Sequence, residues 1–274
     1  MQHILEKFDM HGQTAIVTGG AGLLGKQFTL ALAQAGANVM VADLAGDLAK
    51  QQAQALKAQN LSANSVAVDV TDQSSVKNMV ESAVKHFGRL DVLVNSAAMD
   101  PKFDPQHVSS QGANAFETYS LNSWRQALDV NLTGMFLASQ AAVLPMLEQG
   151  KGVIINICST YGLNGPDQRI YKRPDGSRSF KPIYYSVTKA GILGFTRYLA
   201  AYFAGKNIRV NALTPGGVYN QHDVVFTQAY SSKTILGRMA NLDEMSAAML
   251  FLCSDASTYM TGSNLVVDGG WTAW

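Results

Sequence analysis

Cysteine is nearly absent from this 274-residue chain: Cys158 and Cys253 stand far apart and form neither a metal-ligand spacing nor a disulfide framework. A bias of charge is missing too. The 21 lysines and arginines face 20 acidic residues for a net charge of +1. That balance excludes the basic surface of a general nucleic-acid binder and the like-charge block of an acidic tail. Long hydrophobic runs are also lacking, and the stretch at 152–158 is far too short to cross a bilayer. The opening MQHILEKFDMHG holds no continuous apolar segment of the kind a secretory signal needs. The expectation is a cytoplasmic protein in a reducing compartment, with no metal, membrane or nucleic-acid partner.

What is abundant is apolar. Hydrophobic residues make up 47% of the chain and charged residues 15%, enough for a sizeable core in one large α/β domain or two small ones. Short β-branched runs at 14–18, 38–42, 65–70, 92–94, 153–158, 209–213 and 265–267 predict strands. Helical patterns at 23–35, 44–59, 74–87, 123–149, 185–203 and 242–253 separate them. Within 74–87, Val76, Met79, Val80, Ala83, Val84 and Phe87 form one stripe, and Gly88 closes it. Strands that are apolar throughout and alternate with helices predict a Rossmann-type doubly wound parallel sheet with helices on both faces, in a single domain over 1–274. Two stretches break the alternation, at 99–121 and 162–183, and a third loop lies near 217–240. Loops this long in a compact domain are usually functional.

The first strand-to-helix turn runs from Thr18 through Gly19 and Gly22 to Gly25. Glycines there permit a tight turn and close approach of a pyrophosphate to the helix N-terminus. A glycine-rich turn alone is weak evidence, but Asp43 ends the next strand about 20 residues on, as the dinucleotide fingerprint requires. A carboxylate at that position accepts both ribose hydroxyls and repels a 2′-phosphate, which predicts NAD rather than NADP. The bland alternative for Asp43 is a helix N-cap. Asp69 and Asn95 end the third and fourth strands and are expected to flank the adenosine, with strand-end capping as the competing role. Tyr185 and Lys189 lie one helical turn apart and share a face. Since a free phenol titrates near pH 10, a neighbouring ammonium is what a tyrosine needs to act as an acid or base. Ser159 follows a strand end, and Asn131 sits in a helix that asparagine disfavours. Each is easily structural when taken singly.

Taken together and in order, these residues resemble the short-chain dehydrogenase/reductase family, in its classical branch, over essentially the whole chain. The resemblance rests on Thr18 to Gly25, Asp43, Asp69, Asn95-Ser-Ala-Ala98, Asn131, Ser159, Tyr185, Lys189, Pro215-Gly216, Thr261-Gly262 and Val267-Asp-Gly-Gly270. It implies that Tyr185 is the general acid/base and that Ser159 positions and polarises the substrate oxygen. Lys189 would hold the nicotinamide ribose while lowering the Tyr185 pKa, and Asn131 would hold a relay water. The cofactor contacts it implies are Thr18, Gly19, Gly22, Leu23, Leu24 and Gly25 at the turn, then Asp43, Leu44, Asp69 and Val70. Asn95, Ser96 and Ala97, Tyr185 and Lys189, and Pro215, Gly216 and Val218 complete the set. A homotetramer or homodimer is implied as well. The apolar end, Trp271 to Trp274, either packs at a subunit contact or covers its own chain.

Departures from the family pattern are informative. Leu23 stands where glycine is usual, a spelling nearer the extended branch of sugar-nucleotide epimerases, but members of that branch are expected to carry a larger C-terminal substrate domain and this sequence runs only four residues past Gly270. Asn95-Ser-Ala-Ala98 replaces Asn-Asn-Ala-Gly, and Asn220 stands where threonine often follows Pro-Gly. The span 167–181 gathers Arg169, Lys172, Arg173, Arg178 and Lys181 against Asp167 and Asp175. Arginine suits bidentate recognition of phosphate or carboxylate, so this basic insertion predicts an anionic substrate group, against the plainer role of a solvated loop. The spellings TGGAGLLG and NLVVDGGWTAW resemble a subgroup tied to bacterial surface-sugar and flagellin-glycan pathways. The reading that follows is an NAD(H)-dependent enzyme interconverting an alcohol and a ketone on a sugar, sugar phosphate or nucleotide sugar. An epimerase or dehydratase that retains its NAD, and a non-catalytic NAD-binding protein, are the competing readings.

Overall fold

A strand buried on both faces must satisfy its backbone groups on flanking strands, and the apolar runs do so in one sheet. The computed structural model describes residues 3–100, 114–172 and 179–274. The strands are β1 (Thr14–Thr18), β2 (Asn38–Asp43), β3 (Ala63–Ala67), β4 (Val92–Asn95), β5 (Gly152–Ile157), β6 (Ile208–Pro215) and β7 (Asn264–Val267). All pair in parallel, in the order β3-β2-β1-β4-β5-β6-β7. Strand order therefore reverses between β1 and β4, and the crevice outside their carboxyl ends is where such sheets bind ligands.

Helices α1 (Leu23–Gln34), α2 (Gly46–Lys57), α3 (Gln73–Phe87), α5 (Gly134–Gln149), α6 (Ile183–Tyr202) and α8 (Ser246–Cys253) pack on the sheet, while α4 (Leu121–Leu128) lies against α6 and α7 (Val224–Ser231) against the turn at 168–171. One core contains Phe28, Leu32 and Val41 with Met249 and Leu252 of α8. The other contains Ile16, Met40, Met79, Leu93 and Ile154 with Met146 of α5. Burying a side chain such as Phe28 completely is worth about 1.5–3 kcal/mol. Helices α4 and α5 are joined by a π-helical turn over Asp129–Thr133, and together they form a 29-residue helix, long and apolar enough by length and composition to cross a membrane. The helical pattern expected over 123–149 corresponds to it. Its buried residues pack against α3, β4 and β5, as a core helix does.

Several boundaries fall away from their predicted places for visible reasons. Helix α2 starts at Gly46 rather than at 44, because the Asp43 carboxylate accepts from the Ala45 N–H and holds that residue outside the helix. The strand expected at 65–70 is β3 at Ala63–Ala67, so Asp69 and Val70 lie in the following turn. There the Asp69 carboxylate accepts from the Thr71 N–H and hydroxyl. The segment before α8 is non-helical over 242–245, where Glu244 accepts from Arg238 and the Asn241 N–H. Helix α7 was not foreseen.

Candidate active site

The glycine-rich turn sits at the reversal of strand order. Gly19 adopts φ +64°, and a Cβ there would lie 2.9 Å from the Ala97 backbone; a Cβ on Gly25 would lie 2.0 Å from the Gly19 carbonyl oxygen. The turn is thus compressed against both the β4 loop and the start of α1, whose N-cap, Gly22, has no side chain to cap the first turn. Thr18 ties this turn to the opposite bank, since its Oγ1 accepts from the N–H groups of Ser96 and Ala97, at 3.2 Å each. Leu23 and Leu44 are exposed at the turn and beyond β2, whereas Leu24 packs against the core and Val70 is buried.

Asp43 is fixed from two directions. One carboxylate oxygen accepts from the Ala21 N–H and the other from the Ala45 N–H, both at 3.0 Å. A carboxylate has about four acceptor positions, so two remain for ribose hydroxyls. The open first turn of α1, the compressed glycines and this anchored carboxylate fit the diphosphate and adenosine ribose of a dinucleotide. Asn95 is different. It is buried, and its amide donates to Ser139 Oγ at 3.0 Å and Asn156 Oδ1 at 2.9 Å, binding β4 to β5 and α5. Its Oδ1 is a buried acceptor without a partner, and the residue lines a small cavity together with Thr18, Val70 and Ala97.

The four predicted catalytic residues converge from three elements. Ser159 lies just past β5 and is buried; its Oγ accepts from the Tyr161 N–H at 3.2 Å, which leaves its proton for another acceptor. Tyr185 and Lys189 come from α6. Lys189 Nζ is buried 5.7 Å from the Tyr185 ring centroid and donates to the Ile157 carbonyl at 2.8 Å. Helix α6 can approach β5 this closely because residue 162 is glycine: a Cβ there would meet Cys158 Sγ and the Lys189 carbonyl, each at 2.7 Å. Asn131 occupies the π-helical turn, buried, with its side chain bonded to Met99 and Thr188. Oδ1 accepts from the Met99 N–H at 2.7 Å, and Nδ2 donates to the Met99 carbonyl and to Thr188 Oγ1.

Burial sets the electrostatics. Desolvation raises the Tyr185 phenol well above 10, Asp100 pushes it further up, and the Ser159 hydroxyl pulls it back. Desolvation likewise lowers the Lys189 ammonium from 10.5 to about 8. Beyond Pro215-Gly216, the 217–240 loop is pinned by a bridge between Val218 and Ala240 and by the Gly217 N–H, which donates to the Tyr230 hydroxyl at 2.5 Å. Tyr230 stacks on Trp271 with centroids 4.2 Å apart, and Tyr161 meets the same indole edge-on. Trp271 is thus buried in its own chain, while Trp274 is exposed and donates to the Lys233 carbonyl.

Of the basic insertion, Arg173 and Arg178 lie outside the described residues. Arg169 is 86% exposed and spent on a bidentate pair with Asp167, which Lys233 also contacts. Lys181 is the member that reaches the site: its Nζ lies 3.9 Å from the Tyr185 ring centroid and 2.5 Å from Asp100. Sequence reasoning counted Lys181 as one of five charges and missed Asp100 altogether. Among the described residues no cluster of metal-binding side chains occurs.

A family model described as enoyl-(acyl carrier protein) reductase matches residues 20–272. The 3-oxoacyl-[acyl-carrier-protein] reductase of Thermotoga maritima is 32% identical over 95% of this chain and 98% of that protein. The D-threitol dehydrogenase of Mycolicibacterium smegmatis is 33% identical over 97% and 95% respectively. Among solved structures, a gluconate 5-dehydrogenase from Burkholderia cenocepacia in complex with NADP and tartrate superimposes with a TM-score of 0.85. It is 27% identical and covers 99% of this chain and 100% of its own.

Proposed function

The chain belongs to the short-chain dehydrogenase/reductase family, and we propose that it is an NAD(H)-dependent oxidoreductase interconverting a secondary alcohol and a ketone on a sugar, sugar phosphate or nucleotide sugar. The observation that carries the reaction class is the convergence of Ser159, Tyr185 and Lys189 beside a dinucleotide crevice. Bound there, the nicotinamide supplies the hydride acceptor or donor. Ser159 donates its free proton to the substrate oxygen. Tyr185 takes the hydroxyl proton in oxidation and returns it in reduction, and the Lys189 ammonium favours its phenolate. Asn131, committed through its side chain to Met99 and Thr188, ties the π-helical turn to α6 beside Lys189.

Asp43 supports NAD. Its anchored carboxylate would have to share its place with a 2′-phosphate if NADP bound, and two like charges there repel. Similarity to a D-threitol dehydrogenase and a gluconate 5-dehydrogenase supports a polyhydroxylated substrate. The link to surface glycans rests on motif spellings alone. A homotetramer or homodimer is supported by the exposed Phe136, Leu144 and Leu147 of α5 and Val187, Tyr198 and Tyr202 of α6. Initial rates with NAD and NADP on a panel of polyols and sugar phosphates test the cofactor assignment. Wild type prefers NAD, and Asp43→Ser shrinks the ratio by about 10- to 100-fold, the worth of a charge-assisted hydrogen bond. A wild type that prefers NADP contradicts it.

A further inference from the structure

Lys181 is placed with more precision than a solvated loop residue requires. Its backbone N–H donates to Gln168 Oε1 at 2.9 Å and its carbonyl accepts from Gln168 Nε2 at 3.2 Å, so one amide side chain clamps both sides of the residue. Pro182 follows as the N-cap of α6 and restricts Lys181 to extended backbone. The side chain is then only 13% exposed, with its ammonium against the face of the catalytic phenol. The ammonium stands 3.9 Å from the centre of the ring whose hydroxyl takes part in the reaction, so a group it holds lies beside the reacting carbon. In the structure the ammonium is met by Asp100, a 52% exposed carboxylate from the loop after β4.

We propose that Lys181 is a specificity-determining residue that binds a carboxylate of the substrate close to its reacting carbon, and that Asp100 occupies that place until the substrate arrives. The proposal rests on the alcohol–ketone reading above and narrows its substrate to a hydroxy acid or the matching keto acid. Arg169, turned to Asp167 and exposed, is not part of this contact. The two members of the pair pull in opposite directions. Removing the lysine charge takes away the anion's partner, whereas removing the Asp100 charge frees the ammonium and removes a like charge from the anion's path. A lysine that only props up the tyrosine ring predicts loss in both variants.

The test compares aldonates of four to six carbons with the alditols of the same length, as kcat/KM with NAD, in wild type, K181M, K181R and D100N. Binding of tartrate to each protein by calorimetry provides a reading independent of turnover. The acid-over-alditol ratio should fall by about 10- to 100-fold in K181M, the range for a lost hydrogen bond to a charged group. It should largely recover in K181R and rise severalfold in D100N, with tartrate affinity following the same order. Should K181M fail to fold, the rise in D100N and the retention in K181R decide the matter. A ratio that does not move, or a wild type with no preference for the acid, overturns the proposal while leaving the alcohol–ketone reading intact. Absence of NAD reduction by every alcohol, acidic or neutral, counts instead against the reading on which it rests.

Discussion

The two halves of the sheet are built on different principles. On the cofactor side, β1, β2 and β4 with α1 present a site whose parts are neighbours in sequence: the turn from Thr18 to Gly25 and the carboxylate of Asp43 follow one another within two strands. On the substrate side, Ser159, Asn131, Lys181 and the α6 pair Tyr185 and Lys189 come from distant parts of the chain and meet only because β5, α6 and the π-helical turn pack together. Local geometry fixes the first half, and long-range packing fixes the second. Single substitutions should therefore have separable consequences, strongest where chemistry depends on the packed half.

Tyr185→Phe puts that separation to its largest test. It should lower kcat by about 10²–10⁴-fold, the usual worth of a placed acid/base, while NADH affinity measured by fluorescence titration changes little. Comparable loss of cofactor binding would show that the halves are not independent. Lys189→Met bears on the cost of the packed half. Burial holds the Lys189 ammonium at about 8 rather than 10.5, so the folded protein carries a penalty that is full below about pH 8 and fades as pH rises toward 10.5. At pH 7 the variant should be the more stable protein, by at most about 3 kcal/mol less the lost bond to Ile157, and almost inactive. The gain should shrink by pH 10. Thermal melts at both pH values check this, and a pH-independent difference would contradict it. Asn95→Ala probes the seam between the halves. Leaving Asn156 and Ser139 with fewer partners should cost about 1–3 kcal/mol in a urea titration, with the NAD/NADP ratio unmoved. A shifted ratio would mean the residue does belong to the cofactor site.

The same division explains what could be read from the sequence. The strands and the order of the helices were legible because burial on both faces leaves uninterrupted apolar runs, and Asp43 was legible because its spacing from the glycine turn is fixed by one βαβ unit. Asn95 was ambiguous: a strand-end asparagine looks the same whether it faces the crevice or binds β4 to β5, and the contact with Asn156 shows the second role. Lys181 was hidden among five basic residues, since nothing in the spacing reveals that Gln168 clamps it over Tyr185. The π-helical turn at Asn131 left a trace in the poor helix propensity of asparagine, but its bonds to Met99 and Thr188 join residues 32 and 57 positions away. The inward packing of Trp271 on Tyr230 likewise depends on a helix, α7, whose apolar residues carry no clear period.

The central claim is that this chain moves a hydride from a carbinol carbon to a nicotinamide and releases both products. Alditols and aldonates of four to six carbons, deuterated at each secondary carbinol carbon, test it most directly when incubated with the protein and NAD. The account predicts that deuterium appears on the nicotinamide ring of NADH in solution, in amounts equal to the ketone formed, and that Tyr185→Phe abolishes the transfer. Substrate that is epimerised or dehydrated while the NAD pool stays oxidised and free of deuterium would contradict it, and would point to an enzyme that returns its hydride.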